Sequence, residues 1–420
     1  MSDYEDMWRE LGLDLPRHDE LLKTLGSAHK DIIASQPNRP KAMTYFDEAV
    51  AVAHCKRIKE LIDGKAKGKK VIGTFCIYVP EEIALAAGVT PVALCGGTQF
   101  SIPYAESMFP RDICPLIKST LGLGLGKMCP YLPVINMAVG ETTCDGKKKT
   151  WEILAGMVPT YVMEVPQKKD EIDRELWLKE VVLFKDKMEE LSGGKVTLES
   201  LKQGVRIINR KREALSKLHS FRKESILPIS GKDTLVVTQV ALVDDPERFA
   251  KNVENLDKEL ENRVIRKVGV FPQGAKRIMI AGCPMVMPNW KLHHLVETSG
   301  GAVVCDETCT GFRYYANLVE ENAANLNELL ENIADRYLQI SCSCFTPNQE
   351  RIDKVMNLAK EYHVNGVIQY ILQYCHGYNI EAIKLEHALK EAGIPVLKLE
   401  TDYSEEDVGP LKLRVEAFLE

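Results

Sequence analysis

The sequence lacks several signals that would assign a chain to a common class. There is no basic excess: 54 Lys and Arg stand against 60 Asp and Glu, for a net charge of −6. A nucleic-acid surface usually shows a surplus or a stripe of positive charge. There is no apolar run near the roughly 18 residues that a membrane span needs. The longest candidate, Ile278 to Pro288, is short and is interrupted by Gly282 and two prolines. The opening MSDYEDMWRE is acidic and has no apolar stretch, so it does not read as a secretory signal. A phosphate loop is missing as well. Gly122 to Lys127 reads GLGLGK, but Met128 follows where such a loop needs Ser or Thr. These absences lead to the expectation of a soluble, cytoplasmic protein with no nucleic-acid partner, no membrane partner and no ATPase machinery of its own.

What is present reads as a folded α/β chain. Hydrophobic residues make up 45% and charged residues 27% of 420 positions, which argues against long disorder and allows two or three domains. Residues 1–65 read as a helical N-terminal segment, with amphipathic stretches around Tyr45 to Leu61. Residues 66–167 alternate short apolar strands (KKVIGTFC, PVALC, NMAVGETTC, TYVMEVP) with helices (PEEIALAAG and Lys148 to Ala155). Residues 168–235 are charged and read as a helical linker. Residues 236–420 repeat the alternation, with strands in KRIMIAGC, GAVVCDETC, VNGVIQYILQYC and GIPVLKLETD. Such alternation marks parallel sheets. The expected fold is therefore two doubly wound, Rossmann- or flavodoxin-like α/β domains with a helical N-terminal and linking part.

Twelve cysteines are the unusual feature. A reducing compartment gives little reason for disulfides. Cys76, Cys95, Cys144, Cys283, Cys309 and Cys375 fall at or just past strand ends, where open α/β sheets bind ligands. Cys114 and Cys129 fall in loops of the first half and Cys342 in a loop of the second. Cys55, beside a basic helical stretch, reads as packing. Only C-x3-C (Cys305/Cys309) and C-x-C (Cys342/Cys344) come close to zinc-type pairs, and ferredoxin-type spacing is absent. Iron–sulfur, zinc, and thiol chemistry or plain packing therefore all stay open on the residues alone. Glu141, Glu307, Arg313 and His376 lie near cysteine-bearing strand ends, and each has an equally ordinary reading as a paired or solvated group. Lys147 to Lys149 follow Cys144 and could neutralise an anionic group or merely open a helix.

Four passages, GTFCIYVPEEIALAAGVTPVALCGG, FPRDICPLIKSTLG, VGETTCDGKKKTWE and QYCHGYNIE, carry a family resemblance. DETCTGFRYY, SCSCFTPNQER and the terminal LETDYSEEDVGPLKLRVEAFLE support it. From about residue 66 onward the chain resembles the 2-hydroxyacyl-CoA dehydratase and benzoyl-CoA reductase superfamily, and more narrowly its double-cubane-cluster proteins. The resemblance implies an iron–sulfur reductase of low potential that acts on a small-molecule substrate at two 4Fe–4S cubanes bridged by sulfide. Cys114, Cys144 and Cys375 match the three cysteines that hold one cubane in dehydratase subunits. Cys76, Cys309 and Cys342 are the expected second triad, with Cys129 and Cys283 in reserve for Cys309. Glu141, Glu307 and His376 are the acid–base candidates. The implied partners are a second copy of the chain, as a homodimer, and a separate homodimeric iron–sulfur ATPase activator as electron donor. The alternative is a dehydratase or benzoyl-CoA reductase-like subunit with a single 4Fe–4S cluster; a third reading is cluster storage without catalysis.

Overall fold

The structure is a computed structural model that describes residues 4–94 and 96–420. Cys95 falls outside the described residues. Strands β1 (Lys70–Thr74), β2 (Val89–Ala93), β3 (Met137–Glu141) and β4 (Thr160–Met163) form one sheet in the order β2-β1-β3-β4. Strands β5 (Lys276–Gly282), β6 (Gly301–Glu307), β7 (Gly366–Leu372) and β8 (Val396–Thr401) form a second in the order β6-β5-β7-β8. Every pairing is parallel. The expected α/β fold with two parallel sheets is the observed one. β3, β6 and β7 are buried along their whole length, as parallel strands covered on both faces must be. β4 and β8, at the sheet edges, are partly exposed.

The local details differ from the reading at element ends. The third strand stops at Glu141, and the helix expected from Lys148 starts at Asp145, with extended Cys144 as its N-cap. Asp145 in the first turn suits the positive end of the helix. The stretch Tyr45 to Leu61 falls in two helices, Met43–Ala51 and Lys56–Ala66. Helices also continue beyond 235, through Gly231–Ala241 and Pro246–Ile265, before β5 begins. GLGLGK forms the C-terminal end of the helix Pro115–Leu125. A helix C-terminus presents carbonyls rather than N–H groups, so this segment cannot cradle a phosphate.

The two halves share cores. One apolar cluster joins Ile72 and Val139 of the first sheet to Trp177, Phe184, Leu201 and Val205, and these to Leu329, Ile333 and Tyr337 from the second half. Another joins Phe46 and Val50 of the N-terminal helices to Ile278, Ile280 and Val303. The helix Leu198–Ser220 lies between the halves, and a Cβ on Gly204 would come within 2.4 Å of the Glu82 carbonyl. That close approach brings a buried ionic network together. Arg212 Nη1 donates to Glu82 Oε1 at 2.5 Å, and Tyr337 Oη, donating to Glu82 Oε2 at 2.8 Å, accepts from Arg212 Nη2 at 3.0 Å. Next to it, Lys211 and Tyr314 donate to Glu81 at 2.8 and 2.7 Å. Burial would raise the Glu82 carboxyl, but Arg212 and Arg336 outweigh it and hold the group below the usual carboxylate range.

Breaking a fully buried pair from one side leaves an uncompensated charge, at a cost of about 3–5 kcal/mol. Arg212→Met is expected to lower the urea midpoint accordingly, and the double variant with Glu82→Gln to recover part of the loss. Denaturation followed by tryptophan fluorescence checks this; a single variant with the wild-type midpoint would refute it.

Candidate functional site

The residues that follow the strand ends of both sheets line one cavity of about 710 Å³. Cys76 follows β1 and Cys144 follows β3, on either side of the point where the first sheet reverses its strand order. Cys283 and Cys375 follow β5 and β7 at the same point of the second sheet. Among the described residues, Cys114, Cys129, Cys309, Cys342 and Cys344 complete the thiol lining. Cys55 and Cys305 are buried in apolar packing and do not line the cavity. Across the rim, Tyr374 Oη donates to Asp112 Oδ1 at 2.8 Å, joining the Cys375 turn to the loop before Cys114.

Local structure aims these thiols. Cys114, Cys144 and Cys375 are each the N-cap of a helix: Pro115–Leu125, Asp145–Leu154 and His376–Glu391. Unpaired N–H groups and the helix dipole at such ends favour an anionic sulfur. The second of these helices is pinned to β3 by Trp151, whose ring lies 2.5 Å from where a Cβ on Gly140 would be and whose Nε1 donates to the Glu141 carbonyl at 2.8 Å. In the bare protein burial still dominates. It pushes the Cys114 thiol up to about 12, with Cys375 adding to the rise and the N–H groups of Leu116 and Ile117 opposing it. Burial raises Cys144 too, and Cys375 again contributes.

Cys76, Cys309 and Cys342 form a second neighbourhood. Burial raises the Cys76 thiol well above its usual value, with Glu141, Cys309 and Cys342 adding to it and Lys147 opposing. Cys309 is pushed up to about 11 by burial, against Arg313. Cys342 behaves in the opposite way. The Cys344 thiol donates to its sulfur and, with Arg313 and Lys147 nearby, brings it down to about 6 despite burial. Tyr378 Oη also donates to Cys342 Sγ, at 3.8 Å.

The other candidates are placed less centrally. Glu141 is buried and bonded to Lys147 and, at 2.9 Å, to Thr143. Glu307 is buried between Arg313 and Arg351, at 3.0 and 2.9 Å. Neither carboxylate lines the cavity; Lys147 does. His376 is an exposed lining residue at the first turn of its helix. Cys283 packs beside Cys375 and accepts from the Leu372 N–H at 3.4 Å. Cys129 lines the cavity with Leu123 and Tyr131, and neighbours neither thiol group. Cys344 and Tyr378 were not singled out by the sequence; the only signal was the C-x-C spacing of Cys342 and Cys344.

Among the described residues, no three Cys, His, Asp or Glu side chains converge as they would around a single ion. The thiols spread around a cavity of this size would fit a multinuclear iron–sulfur group whose own sulfides fill the space between ligands. A tetrahedral zinc site would need four donors drawn close together.

The pattern of a family described as 2-hydroxyglutaryl-CoA dehydratase, D-component, matches residues 76–420. The chain belongs to this family. YjiM of Escherichia coli (strain K12), which carries the name of a dehydratase subunit, is 37% identical over 367 residues, covering 86% of this chain and 93% of that one. The beta subunit of (R)-phenyllactyl-CoA dehydratase from Clostridium sporogenes is 25% identical, over 84% of this chain and 92% of its own. A benzoyl-CoA reductase component from Thauera aromatica is 22% identical, over 87% and 96%. The family's named relatives are thus components of dehydratases and of a reductase, and the matched region begins at the first cavity cysteine. No helix among the described residues is long and apolar enough to cross a membrane.

The Cys344–Cys342 bond has a measurable consequence in metal-free protein. Cys342 is expected to be alkylated at pH 7 faster than its neighbours Cys76 and Cys309, whose thiols burial keeps protonated, because the thiolate is the nucleophile. Cys344→Ala removes the donor and should slow that reaction by roughly tenfold. Peptide mass spectrometry after a timed iodoacetamide pulse reads the rate, and an unchanged rate would refute the assignment.

Proposed function

We propose that this family member holds a double-cubane iron–sulfur group in the cavity and reduces a small molecule there, with electrons delivered one at a time by a separate ATP-hydrolysing iron–sulfur activator. The observation that carries this reading is the presence of two thiol groups in one cavity. Cys114, Cys144 and Cys375, each capping a helix, would hold one cubane, and Cys76, Cys309 and Cys342 the other. A single cubane on the first group would leave the second without a ligand. Bound there, two linked cubanes supply low-potential electron storage for a two-electron reduction.

The chain's own residues have separate tasks in this reading. The three helix N-termini and Lys147 face the anionic group with positive potential. Leu94, Leu116 and Val286 line the cavity with apolar surface that keeps water away. Glu141 and Glu307 hold cations in place rather than touching the substrate. His376, exposed beside Cys375, is placed to exchange protons with solvent. The chain would work as a homodimer in the cytoplasm. The second reading, a dehydratase subunit with one 4Fe–4S cluster on Cys114, Cys144 and Cys375, is favoured by the names of the relatives.

Iron content separates the two readings. Anaerobically purified protein should carry about eight irons per chain for two cubanes, against about four for one. Cys76→Ala and Cys342→Ala should each lower the count and leave a simpler electron paramagnetic resonance signal, while Cys55→Ala should change neither. Full iron with unaltered spectra in both Cys76→Ala and Cys342→Ala would overturn the double-cubane reading. The chain alone should not hydrolyse ATP, and turnover without the activator would contradict the division of labour.

A further inference from the structure

We infer that Lys147, held by Glu141, is the fixed positive charge shared by both thiol groups, and that it sets the potential at which the bound iron–sulfur group accepts electrons. The inference rests on the reading just given and names a residue-level control of that site.

The argument starts from where the ammonium is tied. Lys147 lies in the first turn of the helix that Cys144 caps, so its backbone belongs to the first thiol group. Its Nζ donates to the carbonyl of Phe75, at 3.2 Å, the residue immediately before Cys76 of the second group. It also pairs with Glu141, the last residue of β3, and lies 5.8 Å from the centre of the Trp151 ring. The side chain is 15% exposed and lines the cavity, whereas Glu141 is fully buried and does not. The pair therefore puts its cationic end on the cavity wall, with its anionic end behind it and still near enough to oppose the cation at Cys76 and Cys144. Lys147 lines the same cavity as Cys144 of the first group and Cys76, Cys309 and Cys342 of the second.

Neighbouring cations are arranged differently. Lys148 also lines the cavity but is 36% exposed and pairs with Asp145, another lining residue, at 3.5 Å, and Lys149, 77% exposed, pairs with Glu152. Arg313 stands behind Cys309 and Cys342, matched by Glu307, and does not line the cavity. Lys147 is thus the least exposed lysine of the basic trio and the one tied to both groups.

An added electron is stabilised by a nearby cation, and more strongly in a dry cavity than in water. Net charge around a cluster is one of the levers that set its potential. Removing the cation should therefore make reduction harder, and removing the anion behind it should make reduction easier.

The test is a redox titration followed by electron paramagnetic resonance, with iron per chain measured on the same samples. Lys147→Met should shift the potential to more negative values, and Lys147→Arg should stay near wild type. Glu141→Gln should shift it the opposite way, a reversal that a packing lesion would not produce. A wild-type chain without iron would overturn the proposed function and this inference together. A loaded Lys147→Met variant with the wild-type potential overturns the inference alone. Should Lys147→Met fail to hold iron, Glu141→Gln decides: an upward shift supports the inference, and no shift or a downward one overturns it.

Discussion

The contact on which the site depends is the buried bond between Arg212 and Glu82, with Tyr337 closing the triangle. Its members come from the first half, from the helix Leu198–Ser220 and from the helix Leu326–Leu338 of the second half. A buried ionic triangle adds little net stability over an apolar replacement, but it tolerates little displacement. It therefore suits a joint whose job is to hold two sheets at one relative position. Gly204 lets the backbones approach closely enough for the bond to form. The cavity lies where the strand ends of the two sheets meet, so any slip at this joint would separate the thiols of one half from those of the other.

The cavity itself combines opposing electrostatics. Burial keeps most of its thiols protonated in the bare protein, as at Cys114 and Cys309. Helix N-termini at Cys114, Cys144 and Cys375, together with Lys147 and Arg313, supply the positive potential that favours thiolates. Cys342, already brought down by Cys344, is the exception. Under the proposed function, such a site would resist ionisation until metal cations bind, and would then suit a group with net negative charge. The carboxylates Glu141 and Glu307 fit the same scheme, since each is buried against a cation instead of open to the cavity.

Much of this was legible in the sequence for a simple reason. Parallel strands buried on both faces are short unbroken apolar runs, and a residue just past such a run lies at the ligand-binding edge of the sheet. KKVIGTFC and VNGVIQYILQYC therefore announced the positions of Cys76 and Cys375 directly. Cys114 was read as a loop residue, although the proline after it, a common first residue of a helix, was a signal for the helix it caps. The pairing of Cys344 with Cys342 was not legible, because adjacent thiols in a loop bond only in one particular backbone conformation. Nor could charge order separate Lys147 from Lys149, because which side of the helix faces the cavity is decided by Trp151 packing on β3.

By itself, the sequence determined the α/β class, the two successive strand–helix halves and the concentration of cysteines at strand ends, all of which follow from local apolar patterning and turn chemistry. Tertiary structure alone decided that the two halves share cores, that the thiols fall into two neighbouring groups, and that Glu141 and Glu307 stand behind cations. Those facts depend on contacts such as Arg212 with Glu82 and Lys147 with Phe75, between residues far apart in the chain. No local pattern encodes such pairings, because the free energy that selects them comes from burial and charge compensation that exist only once the chain has folded.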